Sequence, residues 1–75
     1  LRNVAVALGN SGNLSAVGSL IDALSDHEPL IRAHVVWALG ELLGKKALPI
    51  LNKTLMNEEE DIVKNEINIV QRHYS

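Results

Sequence analysis

The chain of 75 residues has no cysteine and no phenylalanine, one tryptophan, one tyrosine and two prolines. Without thiols, the residues present exclude disulfides, thiolate zinc sites and cysteine-ligated iron–sulfur clusters. With so few aromatics, the core must be built from leucine, isoleucine, valine and alanine, in a chain that is still 47% hydrophobic. Neither sign of charge dominates: seven Lys and Arg against nine Asp and Glu leave a formal net charge of −2. There is thus no global pull toward nucleic acid or anionic membrane, and a nucleic-acid role must use a local patch. No apolar run approaches the ~20 residues that span a bilayer, and the N-terminus lacks the charged-then-apolar order of a secretory signal. A cytoplasmic protein with no membrane partner is expected. Catalytic signatures are absent too: His27, His34 and His73 lack metal-ligand spacing, and there is no nucleophile elbow or glycine-rich phosphate loop.

What is present is repetition. Ala7-Leu8-Gly9 returns as Ala38-Leu39-Gly40, and the same shift lays Ala16, Leu20 and Leu24 over Ala47, Leu51 and Leu55. A fixed period of this length indicates stacked helical pairs, because one pair alone cannot bury its apolar face.

Five helices are predicted. Leu1 to about Ser11 carries Leu1, Val4, Ala5 and Leu8 at helical spacing, and Gly12-Asn13 ends it. From about Leu14 to Ser25, Ala16, Val17, Leu20, Ile21 and Leu24 form one stripe. Pro29, unsuited to a helix interior but suited to a first turn, opens a third helix to Leu43 that is apolar around most of its circumference. Gly44 fits a positive-φ helix end, and Lys45-Lys46 open a fourth helix to about Asn57 with Pro49 in its first turn. Glu58 to Asp61 place negative charge ahead of a fifth helix, whose stripe is Val63, Ile67, Val70 and Tyr74. Its other face, with Asn65, Glu66, Asn68, Gln71, Arg72 and His73, reads as a polar C-terminal cap. The chain begins at Leu1 inside an apolar helical pattern with no capping residue, so it is expected to be the C-terminal fragment of a longer protein.

The segment Glu28-Pro29-Leu30-Ile31-Arg32-Ala33-His34-Val35-Val36-Trp37-Ala38-Leu39-Gly40 resembles a HEAT-like repeat. The resemblance implies an all-α fold, a HEAT-like (armadillo-type) α-α superhelix fragment of two helical hairpins plus a capping helix. It would form one domain over residues 1–75, with units at about 1–25, 29–57 and 58–75. More narrowly, Arg2-Asn3 followed by Ala7-Leu8-Gly9-Asn10, then Pro29-Leu30-Ile31-Arg32 and His34-Val35-Val36-Trp37-Ala38-Leu39-Gly40, is similar to the C-terminal region of epoxyqueuosine reductases. Val35-Val36 stands where that family usually has two small residues. The resemblance implies a parent oxidoreductase of queuosine biosynthesis that carries iron–sulfur clusters and cobalamin upstream and acts on the tRNA anticodon. This region would then be a non-catalytic platform helping to dock tRNA, with no cofactor of its own. An upstream catalytic domain would pack on the first helix. A HEAT-like protein-interaction scaffold with no RNA role is the alternative.

Candidate tRNA-binding residues are Arg2, Asn3, Arg32, His34, Lys45, Lys46 and Lys53. Arg32 and Lys64 sit one unit apart near helix starts, where a cation meets an unfavourable dipole and needs a partner. Asp26 and Glu58, each six residues earlier, would supply it internally as an inter-repeat ladder; RNA phosphate would supply it externally. Lys45-Lys46 with Lys53 is the densest basic spot. His34 and Trp37, at i and i+3, would either stack on an unpaired base or fill the core and its edge. Arg2 and Asn3 would meet either tRNA or a docked upstream domain.

Overall fold

The computed structural model describes residues 16–74. Among them are four α-helices: α1 (Val17–Ala23), α2 (Pro29–Leu43), α3 (Leu48–Asn57) and α4 (Asp61–Tyr74). A 3-10 turn, Gly44–Ala47, links α2 to α3. No strand occurs among the described residues, so the all-α expectation holds. The first predicted helix, with Arg2 and Asn3 on it, lies outside the described residues.

Local chemistry explains the boundaries. Pro29 occupies the first turn of α2, and the Glu28 side chain caps it by accepting from the Leu30 N–H at 3.4 Å. The predicted span of this helix is the observed one. The second predicted helix stops earlier than expected: Leu24, Ser25 and Asp26 donate to carbonyls three residues back, a tightening that closes the last turn at Ala23. Gly44 has the expected positive φ of 55°, but its ψ of −130° lies outside the left-handed helical basin. That conformation is open to glycine and turns the chain abruptly, so Lys45 and Lys46 continue into a 3-10 turn rather than opening α3.

The core is aliphatic, as the composition requires. Val36, Ala38, Leu39, Ala47, Leu51, Val63 and Ile67 are fully buried. Six residues of α2 are buried, so this helix is the centre of the stack. It packs most extensively on α4, and also on α1. The α2–α4 seam is close because Gly40 has no side chain. A Cβ there would lie 3.1 and 3.2 Å from the two γ-methyls of Val70, inside ordinary van der Waals contact. The glycine that ends the second Ala-Leu-Gly is therefore a point of close helix approach.

On α4 the predicted stripe is buried at Val63, Ile67 and Val70, with Tyr74 half-buried against the core. The opposite face is less polar than expected, because Ile62 and Ile69 are exposed on it. α3 and α4 are tied at the surface by the Gln71 amide donating to Asn52 Oδ1 at 2.6 Å.

Candidate functional site

Two charged regions lie at opposite ends of α2. At its start, Arg32 joins the turns before α2 and before α4 and brings Asp26, Glu58, Glu59 and Glu60 to one end, with Glu28 and Asp61 next to them in the chain. At its end, the 3-10 turn carries Lys45 and Lys46, both exposed. α4 runs alongside α2, and the Tyr74 ring lies 3.6 Å from where a Gly44 Cβ would stand. This places Arg72 and His73, in the last turn of α4, at the same end as the two lysines. Each charge set also suits the helix terminus it adjoins: acids at the starts of α2 and α4, bases at the end of α4.

Arg32 sits at the acidic end and is held from three directions. Its Nε and Nη2 donate to Glu58 Oε1 and Oε2 at 3.0 and 2.9 Å, a bidentate pair. Its Nη1 donates to the Asp26 backbone carbonyl at 2.6 Å. The ladder thus differs from the expected one. Asp26 contributes its carbonyl rather than its carboxylate, whose Oδ1 accepts from the Glu28 N–H at 2.9 Å. Glu58 pairs with Arg32 and so is not the partner of Lys64. The acid of one loop therefore clamps the cation of the preceding unit. Glu58 Oε2 also accepts the N–H groups of Glu59 and Glu60, ordering the approach to α4.

The hydrogen bond from Arg32, helped by the two backbone N–H groups, holds the Glu58 carboxyl below its ordinary pKa despite partial burial. Glu58 in turn holds the guanidinium more firmly protonated. Because the folded-state pKa of Glu58 is the lower one, its contribution to stability is complete above the ordinary glutamate value of about 4.3 and is lost as pH falls through the folded value. Urea melts should show stability falling from about pH 5 to about pH 3, with a shallower fall in Glu58→Gln. Equal slopes in the two proteins would assign the acid sensitivity elsewhere.

An open groove of about 690 Å³ lies between α1 and α3. Ile21 and Leu24 line one side; Ile50 and Thr54 line the other. Asp26, Glu58, Glu59 and Glu60 close the acidic end, beside Arg32, and Lys53 and Asn57 reach in from α3. Lys53 thus lines the groove, whereas Lys45 and Lys46, grouped with it as one basic spot from sequence, do not. His34 and Trp37 are both half-buried on α2, with Trp37 packed against the core. Sequence reasoning missed two features: the close approach at Gly40 and the pairing of Arg32 with Glu58. The repeat spacing carried a signal for the pair, since Asp26 and Glu58 occupy corresponding loops and Arg32 lies between them.

Among the described residues, no group of three or more His, Asp or Glu is placed to hold a metal ion, and no helix is long and apolar enough to cross a membrane.

Residues 1–70 match the HEAT repeats family. A Staphylococcus aureus epoxyqueuosine reductase is 36% identical over 67 residues, covering 88% of this chain and 17% of its own length. A Geobacillus stearothermophilus protein described as uncharacterized, in the gldA 3' region, is 36% identical over 67 residues, covering 88% of this chain and 31% of its own. An Arabidopsis thaliana deoxyhypusine hydroxylase is 41% identical over 54 residues, covering 72% of this chain and 17% of its own. The chain spans less than a third of the length of these curated relatives. No solved structure matches.

Proposed function

The chain belongs to the HEAT-repeat family, and from that premise we propose that it is the non-catalytic C-terminal module of an epoxyqueuosine reductase, in which it helps to dock tRNA. The likeness is not confined to reductases, since a deoxyhypusine hydroxylase is similar over a shorter stretch. The reductase reading is favoured by the longer match and by the Arg2-Asn3, Asn10 and His34 with Trp37 details, which a generic repeat does not require. Iron–sulfur clusters are held by cysteine thiolates, which this chain lacks, so its residues do not fit such a group. Nor do the described residues gather a metal-binding cluster. In this reading the chemistry and its cofactors belong to the rest of a cytoplasmic parent enzyme.

The observation that carries the docking role is the basic end of the stack. Lys45 and Lys46 project from a turn rather than from a packed face, and Arg72 and His73 stand at the same end. Exposed cations on a turn reach phosphates without burying the nucleic acid, and such contacts position RNA without reading its sequence. Arg32, by contrast, is occupied by Glu58. In the full-length enzyme, Lys45→Glu with Lys46→Glu should weaken tRNA binding about tenfold or more and reduce the salt dependence of binding. Unchanged affinity at low salt would remove this end from the interface.

A further inference from the structure

We propose that the groove between α1 and α3 is a docking site for a protein segment carrying arginine or lysine beside apolar side chains. The floor supplies the apolar half of the match: Ile21, Leu24 and Ile50 line a space that α1 and α3 leave open between them. Ile21 remains 38% exposed although its helix is packed on α2, so an apolar surface is available there.

The rim supplies the charge. Glu58 is neutralised by Arg32, whereas the Glu59 and Glu60 side chains are exposed and neither forms an ion pair among the described residues, Glu60 acting on Arg32 only through its longer-range charge. Together with Asp26 they outnumber Lys53, the remaining cation of the lining. This end of the groove repels phosphate and attracts a cation, which separates it from the RNA-facing role proposed for the opposite end. The Arg32–Glu58 clamp fixes the two turns that carry the acids, so the rim is ordered before a partner arrives.

The test uses two fluorescent dodecapeptides, one alternating leucine with arginine and one alternating leucine with glutamate, titrated into the protein and into its Glu59→Lys, Glu60→Lys variant. Both substituted side chains are exposed, and circular dichroism would verify retained helix. The leucine–arginine peptide should bind at least about tenfold more tightly than its acidic counterpart, and the variant should abolish that preference. Ile50→Ser should weaken binding of the same peptide without reversing the charge preference. Equal binding of both peptides, an unaltered preference in the charge variant, or displacement of the peptide by an RNA oligonucleotide would overturn the proposal.

Discussion

Gly40→Leu is expected to cost about 3 kcal/mol or more, enough to leave much of the chain unfolded at room temperature. The first added carbon would already lie at 3.1 and 3.2 Å from the Val70 methyls, with the Tyr74 ring at 3.8 Å. The rest of a leucine side chain has no space unless α2 and α4 move apart. That movement would open the most extensive contact among the described helices and expose apolar surface on Leu39, Ile67 and their neighbours. Alanine poses a subtler question. It improves helix propensity by about 1 kcal/mol over glycine but presses on Val70. Gly40→Ala should therefore be close to neutral or mildly destabilising, and Val70→Ala should be tolerated better in the Gly40→Ala background than in the natural one. Urea titrations of the four proteins give the coupling directly. Additive effects would mean that α4 accommodates the extra carbon without strain, and a Gly40→Leu protein with the natural denaturation midpoint would show that the seam is not tight.

Arg32→Ala should destabilise by about 2 kcal/mol, more than the 0–1 kcal/mol of an exposed ion pair and less than the 3–5 kcal/mol of breaking a fully buried one. The intermediate figure follows from the geometry. The Arg32 and Glu58 side chains are 14% and 5% exposed, so truncation leaves a largely covered carboxylate without its bidentate partner. The Glu59 and Glu60 N–H groups still solvate that carboxylate and limit the loss. The Asp26 carbonyl also loses its donor. Removing Glu58 in the Arg32→Ala background should cost less than removing it from the natural protein. A change below about 0.5 kcal/mol for Arg32→Ala would mean that water replaces the guanidinium at no cost.

These two positions also show where the sequence was readable. Pro29 and the acids before Asp61 mark the starts of α2 and α4 through local chemistry, and both were legible. The stripe Val63, Ile67, Val70, Tyr74 was legible because a helical face is a property of spacing alone. Gly40 was visible as a periodic letter, but its role depends on Val70 in another helix. Likewise Arg32 announced a need for an acid, while the choice of Glu58 over the nearer Asp26 side chain depends on how two loops meet. Ile62 and Ile69 stand among polar residues in the sequence, and spacing alone does not show that they reach the outer face of α4. Lys45, Lys46 and Lys53 are close in sequence, yet the glycine turn places the first two outside the groove that the third enters. Of the residues proposed to meet tRNA, Arg2 and Asn3 lie outside the described residues.

The separation of charge along α2 gives the molecule a polarity that acts before any contact is made. Fifteen helical residues span about 22 Å at 1.5 Å per residue. In about 0.1 M salt the screening length is about 10 Å, so an approaching chain senses one end at a time. In about 0.01 M salt it is about 30 Å, longer than the helix, and both ends act together as a dipole that turns an incoming polyanion end-on toward Lys45 and Lys46. The stack is thereby oriented by its ionic surroundings as well as by shape, and lowering the salt converts two independent surfaces into one directed field.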